Sequence, residues 1–156
     1  MLMNYLRYGS VLLLCSLIMG CNTTNTEWMH RGEWVYVNES MHEIQIIGVE
    51  TYKYGDSDTF TMLQGETYIV NTWSDGAKDV SAESMPFPLE KAMNGGCNII
   101  IDGNITIQLE PYKGICDRNE YEVEKLGRAH YRFTYIITDE TVDEILNNAG
   151  CKTPII

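Results

Sequence analysis

The sequence predicts a mainly β fold: an antiparallel, immunoglobulin-like β-sandwich closed by a short C-terminal helix, with a small β-barrel as the alternative. Three observations predict it. Apolar and polar residues alternate with a period of two in several runs between residues 33 and 138, as strands with one buried face require. Turn-forming residues break those runs about every ten residues, the spacing of a sandwich of short strands. Helical spacing occurs only once, after Thr138.

The first strand is expected at 33–38, EWVYVN, with Trp34 and Tyr36 on one face and Val35 and Val37 on the other. HEIQIIG at 42–48 follows a short connection, and the two predict a first hairpin. ETYIVNTWS at 66–74 is the next strand, preceded by the turn segments GDSD and QGE, with Tyr68 and Val70 facing away from Ile69 and Trp73. Trp34 and Trp73 are expected in the core, which leaves Trp28 as the exposed tryptophan. Residues 75–96 contain two prolines around Phe87 and three glycines. They predict a long irregular connection with a brief strand near Val80; a loop of this length either serves a purpose, which here would be recognition, or lies against the surface.

The strongest local signal is CNIIIDGNITIQLE at 97–110. Asp102-Gly103 supplies the positive φ angles of a two-residue hairpin turn, so Ile101 is expected opposite Asn104, Ile99 opposite Thr106 and Cys97 opposite Gln108. HYRFTYIIT at 130–138 predicts a strand with Tyr131, Phe133, Tyr135 and Ile137 on its buried face and Arg132, Thr134 and Ile136 on the other. Thr138 then supplies a helix cap. Asp139 and Glu140 suit the first turn, Val142, Ile145 and Leu146 recur at helical spacing, and Gly150 is the stop.

The 156 residues are one domain's length, and 44% hydrophobic content with ten tyrosines is too apolar for a disordered chain. The net charge is −11, and Arg7 is the only charged residue in the first 26, so the remainder carries −12. That field repels phosphate backbones, and no Lys/Arg cluster opposes it. Nucleic acid is therefore excluded as a partner, as is a polybasic contact with anionic lipid.

Residues 1–20 predict a targeting segment. Arg7 precedes VLLLCSLIM at 11–19, and nine apolar residues are too few to cross a bilayer, which takes about 20. LIMGC at 17–21 then sets an aliphatic residue three before Cys21 and a glycine directly before it, followed by short polar residues. This resembles the lipobox of bacterial lipoproteins. The resemblance implies that the peptide is cut before Cys21, whose thiol and new amino group are acylated; Leu14 is too large for the same cleavage before Cys15. Two or three acyl chains, at about 0.8 kcal/mol per buried methylene, are enough to hold a protein on a membrane. The expected organisation is a signal peptide at 1–20, a lipidated tether at 21–32 and a single sandwich domain at 33–156.

No residue pattern points to catalysis or to a cofactor. His30, His42 and His130 lack any metal-ligand spacing, and neither a G-x-S-x-G elbow nor a glycine-rich phosphate loop occurs. Two acidic loops, YGDSDT at 54–59 and CDRNEYE at 116–122, carry oxygen ligands without a calcium-loop pattern; they read as turns whose Asp and Asn side chains bond the local backbone. Three cysteines remain after cleavage: Cys97, Cys116 and Cys151. A Cys97–Cys116 disulfide stapling the hairpin is the simplest pairing, worth about 3 kcal/mol by chain entropy, and three thiols are the alternative.

The order WVYVNES, GETYIV, MPFP, CNIIIDGNITIQL and NEYEVEKLGRAHYRFTYIITDE across residues 34–146 resembles small lipoproteins of gut Bacteroidetes. The resemblance implies a fold and a habitat, the lipid-anchored face of the cell envelope at the outer membrane, and carries over no catalytic residue. The expected function is a non-catalytic binding or accessory module for a protein or glycan partner. A glycan hydrolase using an unidentified carboxylate pair and a pilus-type structural subunit are the alternatives.

Overall fold

A computed structural model describes residues 28–50, 57–76 and 80–149. Within these residues, eight strands form two four-stranded sheets, and one α-helix follows them. The strands are β1 (Trp28–Asn38), β2 (Ile44–Glu50), β3 (Ser57–Met62), β4 (Thr67–Gly76), β5 (Asn98–Ile101), β6 (Ile105–Gln108), β7 (Glu122–Gly127) and β8 (His130–Ile137); the helix is α1 (Asp139–Asn148). One sheet has the order β4-β1-β8-β7 and the other β3-β2-β5-β6. Both are open, so the arrangement is a sandwich and not a closed barrel. All pairings are antiparallel except β1 with β8, which run parallel.

The core lies between the sheets. Trp34 and Tyr36 from β1 and Phe133 from β8 face Ile44, Ile46, Phe60, Ile99 and Ile101 from the other sheet, all within one buried cluster. Trp34 is wholly buried, stacked on Phe133 with ring centroids 3.9 Å apart, and its indole N–H donates to Thr72 Oγ1 at 2.9 Å. The face expected for β8 is the observed one, with Tyr131, Phe133, Tyr135 and Ile137 buried; β4 alternates as expected, but with Val70 inward and Ile69 outward, the reverse of what a core Trp73 requires. Trp73 departs from expectation. It lies on the outer face of β4, where the Arg31 guanidinium sits 5.0 Å from its ring centroid. The exposure of the Trp28 side chain lies outside the described residues.

Three other expectations are corrected. β1 begins at Trp28, so residues 28–32 are not tether: they pair with β4 from Trp28↔Gly76 to Gly32↔Thr72. β1 and β2 form no hairpin, because β4 and β8 already occupy both edges of β1 and the chain must cross to the other sheet. Asn38 builds that corner. Its fully buried amide donates to His42 O at 2.8 Å and Met62 O at 3.0 Å and accepts from Ser40 N and Oγ at 3.1 and 2.7 Å.

The third correction concerns register. The 97–110 hairpin forms, but its loop holds three residues, pairing Ile101 with Ile105 and Ile99 with Ile107. Asp102 and Gly103 do take positive φ, 52° and 68°, and the Asn104 N–H closes the turn onto Ile101 O at 3.2 Å. Asn104 is then left as an extra residue. The expected register would have set Ile99 and Ile101 against Thr106 and Asn104, whereas a one-residue slip places four isoleucines on the inward face.

Two strands carried weak sequence signals. β3 alternates Phe60 and Met62, both buried, with exposed Thr59 and Thr61. β7 has no buried residue from Glu122 to Leu126 and is an edge strand blunted by Glu122, Glu124 and Lys125. The 80–97 connection contains two 3₁₀ turns, Ala82–Ser84 and Glu90–Asn94, and no strand at Val80. Met85, Phe87, Leu89 and Ala92 are buried, and Phe87 meets Trp34 edge-on at 5.1 Å. This segment completes the core and is not a detachable recognition loop. The helix starts as predicted: Thr138 accepts from Thr141 N at 3.3 Å, the reciprocal bond completes a capping box, and Val142 and Leu146 are buried. Gly150 lies outside the described residues.

Asn38→Ala strips partners from Ser40 N, His42 O and Met62 O at a buried corner. Unpaired buried polar groups cost about 1–3 kcal/mol each, partly recovered by relaxation. Urea unfolding should show a loss of about 2–4 kcal/mol with an unchanged slope.

Candidate functional site

A cleft of about 370 Å³ opens between β6 and α1, within the size range of ligand pockets. Its first wall is the consecutive run Thr106 to Glu110, so it follows the side of β6 that β5 does not occupy. The opposite wall is one flank of α1, formed by Thr141, Glu144, Ile145 and Asn148. These positions recur at helical spacing beside Val142 and Leu146, which face the core. The helix therefore seals the sandwich with one stripe and borders the cleft with the next.

The floor holds Ile107, Leu109, Ile115 and Tyr135. Burial pushes the Tyr135 phenol up to about 12, with the charges of Glu120 and Glu144 adding to the shift. Its O–H remains a donor at neutral pH. Gly114, at φ 50°, carries the 109–116 connection over this hydroxyl, and a Cβ there would lie 3.4 Å from it. On the rim, Lys113 Nζ pairs with Glu110 while Glu144 is exposed.

The outer face of the β4-β1-β8-β7 sheet carries a polar row. Register aligns Asn71, Glu33, Arg132 and Glu124 across the four strands. Glu33 is 9% exposed. Its carboxylate accepts from His130 Nε2 at 2.9 Å and from Arg132 Nε and Nη2 at 3.2 and 3.0 Å, and Arg31 Nη2 lies 3.1 Å away. Burial raises the Glu33 pKa, but the Arg132 and His130 hydrogen bonds and the Arg31 charge outweigh it and hold the carboxyl below its ordinary value. A carboxylate enclosed by two guanidinium groups and an imidazole is occupied as a structural tie.

The histidines do not converge. His42 Nδ1 meets Asp102 Oδ2 at 2.7 Å, which anchors the positive-φ turn residue to the β1–β2 corner, with Glu43 N donating to Asp102 Oδ1 at 3.0 Å. That His42 bond is the largest cause holding Asp102 below its usual range; burial opposes it, and the Glu43 N–H and His42 charge assist. Asp117 accepts from Asn119 N and Nδ2, both at 2.9 Å, which is the local turn bonding expected for 116–122. Of the other acidic loop, only Ser57, Asp58 and Thr59 are described, within β3. Among the described residues, no three His, Cys, Asp or Glu side chains group to hold a metal.

Cys97 and Cys116 are both buried thiols and no disulfide joins them. The Cys97 Sγ is directed at Gly48 O, 3.3 Å away in the β2 bulge, and at Leu89 O, 3.9 Å away. Burial, with Cys97 adding, pushes the Cys116 thiol up to about 12, which leaves it unreactive at neutral pH. Cys15, Cys21 and Cys151 lie outside the described residues.

Comparison with family models, curated proteins and solved structures finds no match for this chain. The cleft was not visible as a sequence motif, since its walls come from β6 and α1, more than 30 residues apart in a chain without a local pattern linking them. The Glu33 row depends on the parallel β1–β8 pairing, which alternation alone does not specify.

Both depressed carboxyls set a direction for acid sensitivity. A folded pKa below the unfolded one contributes stability above the unfolded value, and that contribution is lost as pH falls through the folded value. Denaturant midpoints should therefore drop below about pH 4, near the ordinary carboxylate range. Glu33→Gln should cost about 1–2 kcal/mol at pH 7 and flatten part of that acid slope; an unchanged slope would show that Glu33 is not a principal acid-labile tie.

Proposed function

We propose that the protein is a lipid-anchored envelope protein that acts as a non-catalytic binding module, with the β6–α1 cleft as its binding site. The observation that carries the binding reading is the cleft: an apolar floor of Ile107, Leu109 and Ile115, a protonated phenol and a few rim charges, on elements fixed by the core. An apolar floor between polar walls suits reversible recognition. The anchoring reading rests on LIMGC at 17–21, and the membrane is then reached through acyl chains on Cys21.

A glycan hydrolase would need one carboxyl kept protonated by burial beside a second that stays ionised. The two carboxylates of this cleft, Glu110 and Glu144, are both exposed, and Glu110 is engaged by Lys113. That arrangement favours binding over turnover. The partner is a protein or glycan of the envelope, and the acidic surface disfavours nucleic acid.

Two measurements test the proposal. Cys21→Ser should move the protein from the membrane fraction to the soluble fraction, and mass spectrometry of the wild type should find Cys21 acylated at the N-terminus. An unmodified Cys21 removes the anchor. Ile145→Arg, which puts a bulky charge on the cleft wall, should abolish capture of envelope partners while costing about 1–2 kcal/mol of stability in a transition that stays cooperative; retained capture would move the site elsewhere.

A further inference from the structure

The main-chain pairing of β6 identifies which of its groups remain available. Leu109 N donates to Cys97 O at 3.0 Å, which makes residues 97 and 109 a hydrogen-bonded pair. Antiparallel pairs alternate, so Ile107 and Ile105 also turn their N–H and C=O groups toward β5. Thr106 and Gln108 turn theirs the other way. β6 is the last strand of its sheet, and among the described residues no backbone hydrogen bond from outside the sheet reaches Thr106 or Gln108.

That edge is not protected as the β7 edge is. Where β7 carries Glu122, Glu124 and Lys125, β6 reads Ile-Thr-Ile-Gln, a β-favouring run without charge or proline. The cleft runs beside it, so α1 stands back from the edge and does not cover it.

We propose that the open edge of β6 takes an extended segment of a partner protein as a fifth strand of the β3-β2-β5-β6 sheet. This rests on the binding reading of the cleft and names its occupant. The segment's main chain bonds Thr106 and Gln108, the mode in which backbone bonds give affinity and alternate side-chain pockets give specificity. Its residue beside Ile107 points at Ile115, Ile145 and Tyr135, so apolar side chains recur at every second position. Charge complementarity sets the remainder: Glu144 on the α1 wall and a chain of net charge −11 select a Lys or Arg on the segment and reject acidic ones.

The test uses the full chain in detergent. A randomised octapeptide display library is selected on it, and the most enriched sequence is synthesised, together with a form N-methylated at alternate amides. Enriched peptides should alternate apolar residues and carry at least one Lys or Arg. Binding should slow hydrogen exchange at the Thr106 and Gln108 amides at least tenfold. Gln108→Pro removes an N–H that points away from β5, a position where an edge strand tolerates proline, and should weaken binding at least tenfold. N-methylation should do the same, and it carries the test if the proline variant fails to fold. Peptides that bind wild type and Gln108→Pro equally, or whose N-methylated form binds as well, overturn the strand addition and leave a binding module with another site. Occupation of the cleft by anilinonaphthalene sulfonate without peptide competition also overturns it, in favour of a small apolar ligand. If no peptide is enriched and Ile145→Arg leaves envelope capture intact, the cleft reading fails together with the strand addition.

Discussion

The fold depends on β1 having a neighbour on each side. β4 pairs with it antiparallel over ten residues and β8 parallel over eight, so its inner face lies at the middle of the core. Trp34 occupies that position. It stacks on Phe133 from β8, meets Phe87 from the 80–97 connection and Tyr121 beside β7 edge-on, and bonds Thr72 of β4. A buried indole removes on the order of 200 Å² from water, about 5 kcal/mol at 25 cal/mol per Å², comparable with the whole net stability of a small domain. The polar tie of Glu33 to Arg132 and His130 adds to the same β1–β8 seam on the opposite face.

Several features follow from that seam. With both edges of β1 taken, the chain must leave the sheet after Asn38, which explains a buried asparagine where alternation calls for an apolar side chain. Because β8 ends beside the end of β1, α1 starts at that corner: Asp139 Oδ1 accepts from Met41 N at 2.8 Å. The helix then runs along the side of the sandwich, with Val142 and Leu146 closing the core and the 141, 144, 145 and 148 flank facing β6. The cleft is thus the space between a helix placed by one sheet and an edge strand belonging to the other. At Gly48, φ 90°, a Cβ would lie 2.1 Å from Gly96 O, so the β2 bulge requires glycine where the 80–97 connection joins β5.

Sequence reading recovered whatever local alternation and chemistry dictate. The inward faces of β1 and β8, the Asp102-Gly103 turn, the Thr138 cap and the two buried helix positions were all legible from a few adjacent residues. What it missed was set by distant partners. The hairpin register was decided by burying four isoleucines together, not by turn preference. Trp73 was expected inside because tryptophans usually are, yet its own alternation with Val70 and Thr72 put it outside. Phe60 and Met62 did carry a period-two signal for β3, hidden by the polar residues between the two flanking turns. β7 carried none, since an edge strand outside the core needs no apolar face. The candidate cleft residues had no common signal, because β6 and α1 meet only through the two sheets.

The most direct measurement is a set of backbone nuclear Overhauser effects between β1 and β8. The parallel register Trp34↔Phe133 and Tyr36↔Tyr135 predicts interstrand amide and Hα contacts that advance in the same direction along both strands. Those amides should also be among the slowest to exchange. Contacts that run in opposite directions, or β1 amides exchanging as fast as those of the β7 edge, would contradict the account, because the core, the Asn38 corner and the cleft all derive from that pairing.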